Sequence, residues 1–320
     1  MWRRKFIAGL AGTVAFPLSI RAQTPNRIYR LGHLAHSSDF EAFTRQIMLP
    51  ELARLGFVEG RNLVFDARVG EPDALPGLMR ELLADRPDAI VAIGPPATAL
   101  ADAATSTVPI VVMSSELVER GFAASHAQPR GNVTGVMILA RELDAKRLSL
   151  LLEAVPDRRR VAALILQTGI GVVDVALRKS AAELGVELLV FAVATPDDYP
   201  AAFEAMRAQG AQALVIAAAP QLHRDGRQLA GLALEARLPT VCEWANMAHA
   251  GCLIGYGANF TAVRKRMADQ IAQIFRGVAP GDIPIERPTA FEFALNLRIA
   301  KSLDLIIPST VLTRADEVIE

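Results

Sequence analysis

"DAIVAIGPPATALADAATSTVPIVVMSS", Asp88–Ser115, decides the fold. Its two ends, "DAIVAIG" and "VPIVVMSS", are near-continuous apolar runs rich in β-branched residues, the pattern of strands buried on both faces. Between them "PPATALADAATST" carries proline in its first turn and continues with helical composition. Strand, helix and strand in this order form a crossover unit of a parallel sheet. The same unit returns downstream as "QALVIAAAPQLHRDGRQLAGLALEARLPTVCEW", Gln212–Trp244. Landmarks pair across the two passes: Leu55-Gly56 with Leu184-Gly185, Asp88 to Val91 with Gln212 to Val215, and Val108-Pro109 with Leu238-Pro239, at offsets of about 124–130 residues. That period is too long for a solenoid and fits two pseudo-equivalent lobes.

Reading outward, "RIYRLGHL", "NLVFDARV", "RVAALILQ" and "ELLVFAVA" supply the remaining strands, and amphipathic stretches such as "FEAFTRQIMLPELARLGF" and "VVDVALRKSAAELGV" the helices between them. The fold class is therefore α/β: two Rossmann-like lobes, each a doubly wound parallel sheet, joined by a hinge of several strands. At 320 residues the chain suits two cores better than one. The N-terminal lobe is expected to comprise 27–135 plus about 256–288, and the C-terminal lobe 136–255 plus about 289–320. "PRGNVTGV", Pro129–Val136, is the first connector, with Gly131 and Gly135 supplying backbone freedom where the path bends. After "GCLIGYGANF" the tail only completes sheets already built, passing back to the first lobe and returning to the second.

The segment 1–23, "MWRRKFIAGLAGTVAFPLSIRAQ", opens with three cations, Arg3, Arg4 and Lys5, followed by an apolar run from Phe6 to Ile20 and a small-residue site near Ala22. It reads as an export signal cleaved near Ala22, of the twin-arginine or the general secretory type, leaving a free periplasmic product. Lys plus Arg and Asp plus Glu both number 34, so no basic field favours nucleic acid or an anionic membrane. Cys242 and Cys252 can bridge in an oxidising compartment or stay apart as small buried hydrophobes; the likeness of "LPTVCEW" to "VPIVVM" favours buried thiols. Five histidines without His-x-x-x-His or Cys-x-x-Cys spacing give no metal site. No Gly-x-Gly-x-x-Gly follows the first strand and no Walker loop is present, so no nucleotide cofactor is expected.

Open α/β sheets bind ligands beyond the carboxyl ends of their strands, so two facing lobes define a cleft lined by those loops. In the first lobe the candidates are Ser37 and Ser38, then Pro95 and Thr98 at a helix start whose amides suit a carboxylate, then Ser114, Ser115 and Glu116. Ser37, Ser38 and Thr98 equally suit helix capping, and Glu116 is either the partner of an ammonium or a solvated carboxylate. Thr134 in the connector faces the cleft or satisfies local backbone. The second lobe offers Gln167, Thr168, Gln221, Glu243 and Trp244, the indole either stacking on an aromatic solute or filling core. Tyr256, between two glycines, belongs to a crossing.

Four segments together carry a family resemblance: "LARLGFVEGRNLVFDARVGEPDALPGLMRELLADRPDAIVAIGPPATAL", "VPIVVMSSELVERGFAASHAQPRGNVTGV", "LLLEAVPDRRRVAAL" and "IFRGVAPGDIPIERPTAFEFALNLRIAKSLDLIIPSTVLTRADEVIE". The chain resembles, over essentially its whole length, the ABC-transporter substrate-binding proteins with a type I periplasmic-binding-protein-like fold. The resemblance implies capture of a small solute, often amino-acid-like, and its delivery to an ABC permease and its ATPase; a monomer with no catalytic residues is expected. Two departures stand out. Ser115-Glu116-Leu117-Val118 replaces the family's Asp-Pro-Val, and Pro129-Arg130-Gly131-Asn132 its Pro-Gly-Gly-Asn, so the solute's identity is not carried over. The competing readings are a ligand-sensing module for a membrane signalling partner and a two-lobed racemase. The racemase needs one cysteine from each half, whereas both cysteines here lie in one half.

Overall fold

The computed structural model describes residues 27–320 other than 36, 72, 116, 130 and 172, so the leader read at 1–23 and the candidate Glu116 lie outside the described residues. Strands β1 (Tyr29–Ala35), β2 (Leu63–Val69), β3 (Ala89–Ile93), β4 (Ile110–Ser114) and β5 (Val133–Met137) form a sheet in the order β2-β1-β3-β4-β5, with every pairing parallel. Strands β6 (Arg160–Leu166), β7 (Glu187–Val193), β8 (Ala213–Ile216), β9 (Thr240–Cys242), β10 (Ile254–Ala258), β11 (Phe291–Asn296) and β12 (Glu317–Ile319) form the second, ordered β12-β11-β10-β9-β8-β6-β7. Its run β7-β6-β8-β9-β10 repeats the first sheet's order strand for strand. β11 then enters antiparallel to β10, and β12 pairs with β11.

The paired landmarks do the same work in each lobe. Asp88 donates its backbone N–H to Arg30 O, and its carboxylate accepts from Arg30 N at 2.8 Å. Gln212 donates its N–H to Arg160 O, and its side-chain oxygen accepts from Arg159 N and Arg160 N at 2.9 and 3.1 Å. Each ties the entry of its lobe's third strand to the first. Burial on both faces explains the unbroken apolar runs: Ala89, Val91 and Ile93 face a cluster containing Phe57, Met267 and Ile271, while Ile90 and Ala92 face Leu34, Met79 and Leu82.

The chain passes between the sheets three times. It leaves β5 for the helix Ala140–Ala154, which packs on β9 and β10; it leaves β10 for the helix Phe260–Phe275, which packs on β4 and β5; and it returns into β11. Gly135 marks the first passage. Its φ is +151°, and a Cβ there would lie 2.1 Å from Val112 O, so the close pairing of β5 with β4 requires glycine.

The reading of Cys242 and Cys252 as separate buried thiols is overturned, because the two form a disulfide with both residues fully buried. The short helix Asn246–Ala250 folds the chain back between β9 and β10, which are neighbours in the sheet. This leaves the two Cα atoms 6.4 Å apart, within the span a bridge accepts. Among the described residues no helix is long and apolar enough to cross a membrane.

Candidate functional site

A cavity of about 580 Å³ lies between the lobes, beyond the carboxyl ends of both sets of strands. The first lobe contributes Phe40, the turn Ile93 to Pro96, Met113, Ser115, Glu119 and Arg120, and the second contributes Ile165, Thr168, the run Ala217 to Gln221, His223, Glu243 and Trp244. Most of this surface is apolar. The polar groups are few and come from both lobes, the usual composition of a small-molecule site.

Of the residues singled out from sequence, Pro95, Ser115, Thr168, Gln221, Glu243 and Trp244 stand on the cavity wall. Ser37, Ser38, Thr98, Ser114, Thr134, Gln167 and Tyr256 do not line it. Ser37 caps the helix Ser38–Phe43, accepting from Asp39 N at 3.2 Å, and Ser38 is an exposed residue of that helix. Thr98 is fully buried and donates back to Gly94 O at 2.9 Å. Ser114 is fully buried, and its hydroxyl has no hydrogen-bond partner among the described residues. Thr134 donates to Ile283 O at 2.7 Å, tying β5 to the chain that returns from the helix Phe260–Phe275. Gln167 is exposed in a short 3₁₀ turn whose next two residues face the cavity.

The amide cradle expected at the helix start is largely missing. Pro95 and Pro96 occupy the first turn of Gly94–Ala104 and have no N–H to donate, so this part of the wall is an apolar surface. Tyr256 is turned away, its ring stacked 6.4 Å from Phe291 and edge-on to Phe293. The glycines beside it have a different use. A Cβ at Gly257 would lie 2.1 Å from Glu243 O and one at Gly255 2.3 Å from Trp244 O, so β10 packs tightly under the segment that carries Glu243 and Trp244 to the cavity.

That segment is held from three sides. The disulfide closes it at Cys242 and Cys252. Arg147, 1% exposed, pairs with buried Asp144 at 2.8 Å and donates Nε to Tyr256 O at 2.8 Å and Nη2 to Glu243 O at 3.2 Å. The indole of Trp244 meets Phe260 edge-on with centroids 5.2 Å apart. Burial pushes the Glu243 carboxyl up to about 7; nearby Asp144 adds to the shift and Arg147 opposes it. A group poised between acid and carboxylate thus faces the apolar chamber.

The lobes touch at one edge of the chamber. Phe40 stacks on His223 with centroids 5.3 Å apart, Gly94 abuts Pro220, and Arg224 Nη1 reaches Glu71 Oε2 at 2.7 Å. Phe40 and Met113 escape a sequence reading directed at polar groups, and Glu119, Arg120 and His223 lie several residues past the strand ends that carry the predicted site. Among the described residues no group of three or more His, Cys, Asp or Glu side chains could hold a metal ion.

The model of the ABC transporter substrate binding protein family matches residues 39–319. The chain belongs to that family. Among curated proteins, the binding protein is 21% identical over 262 residues to the tyrosine-binding protein of Clostridioides difficile, covering 78% of this chain and 73% of that one. Among solved structures it resembles a conserved domain protein from Vibrio cholerae (23% identity, TM-score 0.83) and an ABC domain from Streptococcus pneumonia in complex with L-Trp (19%, 0.83), each over 91% of this chain and all of the other. A ligand-free, open substrate binding protein with adhesive properties from Clostridium difficile is 19% identical, with a TM-score of 0.66, over 91% of this chain and 99% of that one. These likenesses establish the fold: two parallel-sheet lobes arranged as in solute-binding proteins.

Proposed function

We propose that the protein captures a small amine-bearing solute with an apolar or aromatic body, an aromatic amino acid or close analogue, and presents it to an ABC permease and its ATPase. The observation that carries this reading is the chamber itself. It is shared by both lobes, lined by Phe40 and Trp244, and holds one buried carboxyl, Glu243, placed to pair with an ammonium. The lobe contacts at Phe40–His223 and Glu71–Arg224 support a closed, solute-holding arrangement, and a hinge at the three passages lets it open. Relatives named for tyrosine or solved with L-Trp support the solute class.

Within this reading residues 1–23 direct export to the periplasm, the mature protein is a monomeric carrier, and no bond of the solute is made or broken. The two lobes, 27–135 plus about 256–288 and 136–255 plus about 289–320, move as units. Calorimetric titration with L-amino acids tests it. One-to-one saturable binding of an aromatic member, with the solute recovered unchanged by mass spectrometry, is the expected result. Turnover of the solute, or no saturable binding across the set, overturns it.

A further inference from the structure

The helix Phe260–Phe275 buries Phe260, Val263, Met267, Ala268 and Ile271 on one stripe, and in the middle of that stripe stands Arg264, 0% exposed. Among the described residues its guanidinium makes a single hydrogen bond, from Nη1 to Thr44 Oγ1 at 3.1 Å, while Nε and Nη2 are buried with no partner. No carboxylate among the described residues pairs with it. Two rings flank it instead, with Cζ 4.9 Å from the Phe260 centroid and 5.8 Å from that of Phe40. His33, on the other side of Thr44, is fully buried and held neutral by burial and by Arg264 itself, its pKa lowered to about 3. The helix start contributes positive potential, so among the described residues the surroundings supply no negative charge.

An uncompensated buried cation is among the least favourable arrangements in a protein interior. Here it lies one ring behind the cavity, because Phe40 is on the wall and Phe260 backs Trp244. The backbone beside it is also irregular. Thr44–Met48 is a π-helical turn inserted between the helices Ser38–Phe43 and Leu49–Arg54, and it sets the Thr44 hydroxyl to accept from Arg264 while donating to Phe40 O at 2.9 Å. Such insertions concentrate at functional sites. In a closed, largely apolar chamber the field of this cation is weakly screened.

We propose that Arg264 is the counter-charge for an anionic group of the solute, which lies against the Phe40 wall. This assignment rests on the solute-binding reading and adds to it. The solute is dipolar, with its carboxylate drawn to the first lobe by a buried charge in place of the amide cradle that Pro95 and Pro96 remove.

The experiment compares wild type, Arg264→Met and Arg264→Lys by calorimetry with L-tryptophan and L-tryptophan amide, and by thermal melting without solute. Wild type is expected to favour the carboxylate at least tenfold. Arg264→Met should bring that ratio near one with the amide's affinity unchanged, and Arg264→Lys should keep most of it. Without solute, Arg264→Met should melt no lower than wild type, because it removes a charge that lacks a partner. An unchanged ratio in Arg264→Met, or equal losses for both ligands, overturns the role while leaving solute binding intact. Failure of wild type to bind these ligands or any other aromatic L-amino acid rejects the proposed function, and a lowered melting point of solute-free Arg264→Met rejects the counter-charge role independently.

Discussion

Arg224 of the second lobe bridges to Glu71 of the first at 2.7 Å, and its other face is held by Asp225 at 2.8 and 3.1 Å. Asp225 also accepts from Tyr199 Oη at 2.7 Å, so the arginine is positioned by its own lobe before it meets the other. Asp225 first, then Glu71, push its pKa above the ordinary guanidinium value, and it stays charged at every working pH. In the proposed closed form the pair therefore acts as a clasp. The Glu71 side chain is 75% exposed, and exposed pairs are worth about 0.2–1 kcal/mol, so Glu71→Gln should weaken solute binding by at most about fivefold. The loss should shrink in high salt, where the wild-type pair is screened. Calorimetry at two ionic strengths checks both statements, and a loss independent of salt would remove the clasp from the account.

Glu243 makes stability and affinity depend on pH in opposite directions. Its folded pKa of about 7 lies above the unfolded value near 4.5, so the solute-free folded state holds its proton more tightly. Its contribution is most favourable below the unfolded value and is lost as pH rises through about 7, by about 3 kcal/mol in all. Glu243→Gln should therefore be more stable than wild type at pH 8, with the difference closing towards pH 4.5. An ammonium-bearing solute requires the carboxylate, so affinity should climb with pH up to about 7 and level off above it. Denaturant titrations and calorimetry across this range give the two curves. A flat affinity profile would take the ammonium away from Glu243.

What was legible in the sequence follows from how each feature is encoded. The alternation of strands and helices and its duplication were legible because Asp88 and Gln212 recur at the same place in a long apolar period, and each makes the same backbone contact. The destination of a hydroxyl was not. Thr98 and Thr134 sit at strand and helix ends where a side chain can serve backbone or solute equally well, and only the nearby carbonyls of Gly94 and Ile283 decide. The prolines at 95 and 96 are visible in the sequence, and a helix start that carries them lacks the amide donors such a terminus ordinarily offers. Arg264 was readable too. It follows Phe260 and Val263 and precedes Met267 and Ala268, which places a cation on an apolar helical face.

Trp244 gives the chamber a built-in reporter. It is 4% exposed, lines the cavity and rests edge-on against Phe260, so an aromatic solute must pack beside it. Aromatic pairs contribute about 0.5–1.5 kcal/mol beyond burial, so Trp244→Leu should weaken an aromatic amino acid by roughly three- to tenfold and an aliphatic one much less. The wild-type indole emission should change saturably during the same titration. Equal losses for aromatic and aliphatic solutes would reduce the indole to wall packing.

The Cys242–Cys252 bridge closes a short loop whose first two residues, Glu243 and Trp244, line the cavity. Both cysteines are fully buried, so replacing the pair with alanine removes the cross-link and leaves small apolar side chains in the same space. Loop-closure entropy for a loop of this size gives a loss of about 3 kcal/mol in stability. The affinity consequence follows from the same geometry. Arg147 still holds Glu243 O and Tyr256 O, and glycines 255 and 257 still seat β10 beneath the segment, so its path stays set while its freedom grows. The double alanine variant should therefore melt clearly lower but bind its solute only a few-fold more weakly. Thermal melting and calorimetry on the same preparation separate the two effects, and an unchanged melting temperature would show that the bridge contributes nothing to the fold.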